Sequence, residues 1–280
     1  MRVDSMRLDS LSTHMWNARS TGLNTARFLI GIAIIACAAC ASATARSEPL
    51  VTDRPDFTES TITVAPRAVQ AEGGYTFTRA ETDKWNAIGE LLLRIGIARR
   101  AELRIEPGSY VRETTSDGTL TGREDADVGG KLRLYIAPDD HPSPVPAVSL
   151  EFATSVPTGT DGLREVRTQP RVALAGEWTL TERVELATNF DVARPIDDAR
   201  RYTQFAASAS FGFDLTPKLG AYAELYGFVP ELEGAKRTGY LDTGITALLA
   251  PTLQIDFRAG VGLNGPGPDY FVGAGIARRW

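Results

Sequence analysis

Along most of the chain, apolar and polar residues alternate one for one. In the 90–98 stretch, Leu91, Leu93, Ile95 and Ile97 take one side, while Glu90, Arg94 and Gly96 take the other. The same alternation sets Val128, Leu132, Leu134 and Ile136 against Gly129, Lys131, Arg133 and Tyr135. It recurs with Val148, Leu150, Phe152 and Val156 against Ser149, Glu151, Ala153 and Ser155. The longest run places Leu253, Ile255, Phe257, Ala259 and Val261 opposite Gln254, Asp256, Arg258, Gly260 and Gly262. A period of two is the mark of strands in a sheet whose faces meet different surroundings. No segment after residue 67 keeps a helical apolar period over three turns. The pattern predicts about twelve strands: 68–79, 87–97, 101–114, 126–137, 146–157, 169–180, 183–193, 202–214, 219–228, 237–250, 253–263 and 269–280.

The predicted connections fall into two alternating sets. One is mostly tight: 98–100, 181–182, 215–218 and 251–252, with the Pro-rich 138–145 as its long member. The other is longer and richer in Gly, Asp and Arg: 80–86, 115–125, 158–168, 194–201, 229–236 and 264–268. Short turns at one end and long loops at the other are the habit of an up-and-down transmembrane β-barrel. An even strand number leaves both ends of the barrel chain at the short-turn side. A soluble exported sandwich or lipocalin-like barrel also alternates. Three features favour the membrane barrel. Charges recur on the polar face strand after strand, which does not suit a dry core. The apolar face runs for four or five positions per strand, enough to cross a band about 25 Å tall. The chain closes on Trp280, with Tyr270, Val272, Ala274 and Ile276 on its face. Arg278 interrupts that face near its end, where a long side chain can snorkel to the interface.

The beginning of the chain has a different character. Residues 28–41 form the one long apolar run, with Arg19 and Arg27 before it and Ala43-Thr44-Ala45 after it. At 14 residues it is shorter than the roughly 20 that a spanning helix needs, and it reads as a secretory signal peptide with cleavage after Ala45. Met6 and Met15 are alternative starts. Cys37 and Cys40 lack a convincing lipoprotein pattern, and a retained anchor is the other reading. Removing residues 1–45 leaves 235 of the 280 residues, and takes away four Arg, two Asp, both Cys and one of the two His. The net charge moves from −5 to −7. That acidity argues against nucleic acid as a partner, and the loss of Cys excludes a thiol nucleophile or a Cys-based metal site. The expected organisation is signal peptide 1–45, periplasmic N-terminal segment 46–67, which either hangs free or enters the barrel mouth, and outer-membrane barrel 68–280.

Two stretches then acquire a family likeness. The chain after the signal opens with Thr52–Ser60, TDRPDFTES, and Val69–Phe77, VQAEGGYTF. It closes with Leu253–Trp280, LQIDFRAGVGLNGPGPDYFVGAGIARRW. Together they resemble the MetA-pathway of phenol degradation family, and the resemblance spans nearly the whole mature chain. It implies an outer-membrane barrel that passes small compounds, with aromatic ones as candidates, and it supplies no catalytic residues. A terminal strand ending in an aromatic resembles the signal that the barrel-assembly machinery reads, with Trp280 as its last residue. The closing arginines depart from the usual aromatic-rich ending.

If the apolar sets face lipid, the alternate sets line the lumen. The candidates are Glu90, Arg94, Glu102, Arg104, Glu106, Lys131, Arg133, Glu151, Arg171, Glu177, Glu185, Asp191, Tyr222, Glu224, Tyr226, Asp242, Asp256 and Arg258. Cations concentrate on the early strands beside Glu residues, a composition suited to cross-strand ion pairs, and acids dominate later. Two uses stay open: a charge network that fills a narrow barrel, or a constriction that mildly favours cations. Tyr222 and Tyr226 offer rings to an aromatic solute or belong to an interfacial girdle. The segment Asp53, Arg54, Pro55, Asp56 and Phe57 is too short and Pro-broken for a strand, and is expected either as a tail or inside the barrel mouth. A lipid hydrolase would need a Ser beside a His base, and His141 sits in Asp139-Asp140-His141-Pro142 on the expected periplasmic side. No cofactor or metal is implied. The sequence reading is therefore a passive outer-membrane channel for small solutes, in contact with outer-membrane lipid, with a closed structural or adhesion barrel as the alternative.

Overall fold

The computed structural model describes residues 50–137, 143–197, 200–234, 237–264 and 267–280. The signal-peptide expectation, the alternative starts and His141 lie outside them. The first strands are β1 (Val69–Ala80), β2 (Asp83–Ala98), β3 (Ala101–Glu106) and β4 (Tyr110–Thr115). Next come β5 (Gly118–Arg123), β6 (Ala126–Tyr135), β7 (Ala147–Val156), β8 (Pro170–Thr181) and β9 (Val184–Ala193). A small ribbon follows, β10 (Ile196–Asp197) and β11 (Arg200–Arg201). The chain ends with β12 (Gln204–Thr216), β13 (Leu219–Val229), β14 (Thr238–Ala250), β15 (Leu253–Asn264) and β16 (Tyr270–Arg279).

All pairings are antiparallel, and β1 pairs with both β2 and β16, which closes the sheet into a barrel. The seam is finished by reciprocal backbone bonds between Val69 and Trp280. The barrel has twelve staves, because two pairs of segments are single strands interrupted once. The inner half of β2 pairs with β3 and its outer half with β4, across the break at 107–109. β5 and β6 continue one another in the same way, across residues 124–125. The resulting β4–β5 hairpin replaces most of the loop expected over 115–125. Its alternation is obscured because residues such as Glu113, Thr114 and Thr119 stand beyond the apolar belt. The expected 80–86 loop is likewise only a two-residue turn, since polar Asp83 and Lys84 pair with Ala80 and Arg79.

The usual rule of burial is turned inside out. Phe190, Phe257 and Ile276 are about half exposed, while Arg94, Lys131 and Glu72 have no exposed surface at all. Lipid offers backbone groups no hydrogen bonds, so a closed sheet with an apolar exterior is what such an environment accepts. Aromatics mark both rims: Tyr75, Tyr110 and Tyr270 toward the long loops, Tyr135, Trp178 and Trp280 toward the short turns. The Arg278 guanidinium lies 5.5 Å over the Trp280 ring on the outer face.

One irregularity sets the phase of β2. Glu72 faces Leu92 and Gly74 faces Gly89, so Gly73 stands opposite two residues, a β-bulge. The bulge needs a left-handed backbone at Gly89 and Glu90, with φ of 99° and 37°. Before it, odd residues such as Ala87 point inward; after it, even residues such as Glu90, Leu92 and Arg94 do. Without the extra residue, Glu90 would have no way into the interior.

Candidate functional site

The inner wall carries a connected network of charges. On the early strands, Arg94 Nε lies 2.9 Å from Glu102 and its Nη1 lies 3.1 Å from Glu72. Arg104 reaches Glu102 and Glu151, each at 3.2 Å, and Lys131 lies 3.7 Å from Glu151. Arg171 pairs with Glu106 at 2.9 Å and with Glu151 at 3.5 Å. In the register, Arg94 stands directly opposite Arg104. Two like charges so placed repel, and the arrangement holds because Glu102 and a further carboxylate sit against both.

That further carboxylate is Asp53, which does not belong to the wall. Residues 52–64 run through the barrel interior, because their partners lie on strands all around it. Asp53 accepts from Arg104 and from Lys131 Nζ (2.9 Å), and pairs with Arg94 at 3.1 Å. Its other oxygen accepts from the backbone N–H and hydroxyl of Ser60, which folds the segment on itself. Arg54 extends to Glu90 at 3.0 Å and Asp256 at 3.5 Å. Arg258 donates to the Pro55 carbonyl, and Ser210 to Asp56. On the far wall the Glu224 carboxylate accepts the backbone N–H groups of Phe57 and Thr58, each at 2.8 Å, and the Thr58 hydroxyl. Glu59 returns to Arg104 and Lys131 at 2.9 and 3.2 Å, and Thr61 donates to Glu177. Arg94 donates to the Ile62 carbonyl, while Glu102 accepts the Val64 N–H.

The segment fits because the wall is cut away where it passes. A Cβ on Gly74 would lie 2.3 Å from the Arg54 guanidinium, and one on Gly275 2.5 Å from its Nε. A Cβ on Gly96 would lie 1.9 Å from the Ala65 carbonyl oxygen. The DRPDF stretch, the AEGGYTF strand and the closing LQIDF and VGAG strands thus meet in one place: Arg54 over Gly74 and Gly275, against Asp256.

Charge is unevenly distributed over this segment. Burial alone would raise the Asp53 carboxyl, but Arg94, Lys131 and Arg104 together hold it well below the usual carboxylate range. Glu59 is pushed up to about 7 by burial, with Arg104 working against the rise. Asp56 is raised by burial and then by the neighbouring Glu224, with Asp242 adding to it.

Above the segment, toward the long loops, opens a cavity of about 530 Å³. Asp53, Arg54 and Glu59 form part of its floor, and its lining carries eight Asp and Glu against three Arg. Residues 157–169 fold over its edge. Asp125 holds them by accepting the backbone N–H groups of Thr158, Gly159 and Glu165 at 2.8–3.0 Å.

All the wall candidates from the sequence lie on strands with their inner-face neighbours: Glu90, Arg94, Glu102, Arg104, Glu106, Lys131, Arg133, Glu151, Arg171, Glu177, Glu185, Asp191, Tyr222, Glu224, Tyr226, Asp242, Asp256 and Arg258. Tyr226 stands in an interior aromatic stack with Tyr240, ring centroids 4.6 Å apart, and with Phe57 at 4.7 Å. Several residues that make the site were not singled out beforehand: Glu72, Ser208, Ser210, Phe228, Tyr240, Thr58 and Glu59. Phe228 and Tyr240 share the parity of Tyr226 and Asp242 on their own strands, so the signal was there; Glu72, Ser208 and Ser210 lie on strands where no inner residue had been named. Thr58 and Glu59 belong to an aperiodic segment, and their one signal was the family likeness of Thr52–Ser60.

The chain resembles solved outer-membrane channels. It is 14% identical to the COG4313 outer membrane channel from Pseudomonas putida F1, with a TM-score of 0.61, covering 82% of this chain and all of that one. To the KdgM porin it is 9% identical at a TM-score of 0.51, covering 75% of this chain and 98% of the porin. To the NanC porin it is 10% identical at 0.50, with the same coverage. At such identities the likeness concerns the fold, an outer-membrane β-barrel. No curated protein matches. The sequence profile described as putative MetA-pathway of phenol degradation matches residues 52–280, from the start of the interior segment to the last residue of the barrel. The chain belongs to that family.

Proposed function

We propose that this chain is a channel of the Gram-negative outer membrane that passes small solutes, with residues 52–64 as a resident plug. The observation that carries the reading is the way the plug is held. Among the described residues its attachments are mostly ion pairs and hydrogen bonds to a charged wall, with the Phe57 ring on Tyr226 and Phe228 and the contact of Val64 with Ala68 as the apolar exceptions. A segment meant to seal a barrel for good would be expected to bury an apolar core; a buried ion pair adds little net stability, because desolvation offsets its attraction and both partners regain hydration when they part into water. The cavity at the outer mouth then acts as a vestibule. Its excess of carboxylates favours cations over anions.

Aromatic or hydrophobic compounds are the proposed cargo. Support comes from the family description and from the interior stack of Phe57, Tyr226, Tyr240 and Phe228, which gives a flat apolar surface inside an otherwise charged barrel.

The second reading, a structural barrel kept shut by its charge network, is favoured by the number of plug contacts. Single-channel recording from the refolded chain separates the two. The channel reading expects measurable conductance that rises when the plug is loosened by Glu224→Gln. Bilayers that stay sealed with both the wild type and that variant would establish the closed barrel instead.

A further inference from the structure

Phe57 occupies a seat that is built like a ligand site. Its ring lies nearly parallel to Tyr226, with 4.7 Å between centroids and 11° between planes. Phe228 meets it edge-on at 5.4 Å and 78°. Tyr226 is backed in turn by Tyr240 at 4.6 Å and 6°. These three wall rings are fixed by the β13–β14 ladder. Phe57 is the one ring of the four that is carried by a segment outside the sheet.

Beneath the rings is a carboxylate that the plug alone supplies with donors. Glu224 is buried, and its two oxygens are taken by the Phe57 N–H, the Thr58 N–H and the Thr58 hydroxyl. Asp242 stands directly opposite Glu224 in the ladder and is equally buried. The nearby cation, Arg258, is engaged with the Pro55 carbonyl, the Thr76 hydroxyl and Glu90. When the plug withdraws, the seat presents a flat aromatic wall above two buried carboxylates, of which Glu224 has lost its donors. A buried carboxylate left without its donors carries its full desolvation cost.

We propose that this seat binds aromatic ammonium solutes, a flat ring joined by a short saturated link to an N–H-bearing cation, and that Phe57 with its backbone amide is an intramolecular stand-in for them. The ring of the solute replaces the Phe57 ring on Tyr226, and its ammonium replaces the N–H groups of Phe57 and Thr58 at Glu224. A neutral arene supplies the stacking and leaves the carboxylates uncompensated. An aryl carboxylate adds a third negative charge. Tyr226, Phe228 and Tyr240 lie at the long-loop ends of their strands, so the solute meets the seat from the outer side and displaces the plug as it binds. This rests on the channel reading, and names the solute class that such a channel would take.

The test is a calorimetric titration of the refolded chain with phenethylammonium, with hydrocinnamate and benzyl alcohol as comparison probes. Phe57→Ala vacates the ring half of the seat and removes the stacking that helps hold the plug on Glu224, and should bind phenethylammonium about tenfold or more tighter than the wild type. Adding Glu224→Gln should abolish most of that gain, and hydrocinnamate should not bind. Equal affinity of wild type and Phe57→Ala overturns the proposal, as does equal binding of the ammonium and either comparison probe. If Phe57→Ala lacks the heat-modifiable gel migration of a folded barrel, the wild type carries the test. Phenethylammonium must expel Phe57 to bind, so it should speed chymotrypsin cleavage after that residue, and unchanged cleavage overturns the proposal. Conductance recorded alongside tells the two readings apart. A conducting chain that ignores phenethylammonium loses the seat alone, and a sealed chain that binds it loses the channel alone.

Discussion

Asp53 and Glu59 look alike as plug carboxylates, yet their surroundings give them unequal weight. Asp53 faces Arg94, Arg104 and Lys131 and also closes the turn to Ser60. Its neutralisation leaves three buried cations with fewer partners, and breaking a buried pair of this kind costs about 3–5 kcal/mol. Asp53→Asn is therefore expected to loosen the plug strongly, seen as faster chymotrypsin cleavage after Phe57 in the refolded chain. Glu59 shares its two cations with Asp53, and burial already brings it near half-protonation at neutral pH. Glu59→Gln should have a clearly smaller effect in the same assay. Equal effects would mean that the Asp53 cluster does not anchor the segment. Gly275 tests the steric side of the same contact. A Val side chain there would meet the mobile end of Arg54 and the Asp256 carboxylate rather than backbone. Gly275→Val should dislodge the guanidinium while leaving the β15–β16 pairing intact, and should raise the protease sensitivity of the plug without lowering barrel stability.

At the scale of the strand, one periodicity serves two solvents. Ile245 sits midway along β14, outward-facing and about half exposed, between Ala221 and Phe257 on the neighbouring strands. Ile245→Arg should destabilise the barrel in lipid vesicles by about 2–4 kcal/mol, read from urea unfolding. Thr246→Arg, one residue further and inward, should cost much less, and equal losses would deny that the outer belt faces lipid. The same alternation explains how much of the fold could be read in advance. In 146–157 and 253–263 the lipid side is apolar and parity separated inside from outside correctly; in 126–137 it did so as far as Arg133, beyond which an irregularity in the pairing turns Tyr135, expected on the inner set, outward. It failed where lipid no longer imposes a choice, as in the β4–β5 hairpin and the turn at Glu81-Thr82. It was also silent about the Gly89 bulge, whose phase change depends on backbone conformation rather than polarity. The wall half of the site was legible for the same reason as the strands. The plug half was not, because residues 52–64 have no period and find their partners across the barrel, up to 203 positions away in the chain for Arg258 and Pro55.

For the whole molecule, the unequal charges on the plug make its docking depend on pH. Docking pushes Glu59 from 4.5 in the free segment to about 7, and raises Asp56 through burial and Glu224. The docked form therefore holds protons that the free form has released, and docking weakens as pH climbs from about 4.5 to 7. Asp53 acts in the opposite sense, since its cations lower it from 3.8. Its contribution is complete above that value and is lost as pH falls further below it. The two trends leave docking tightest between roughly pH 4 and pH 4.5. The open fraction of single channels should accordingly rise from pH 5 to pH 8 and should rise again under strongly acidic conditions. Glu59→Gln removes one of the protons gained on docking, so it should flatten the rise between pH 5 and pH 8 and spare the acid limb, which belongs to Asp53. A wild-type open fraction that falls between pH 5 and pH 8 would place the controlling charge outside the plug, in the vestibule carboxylates, where added negative charge alters ion flow without moving the segment.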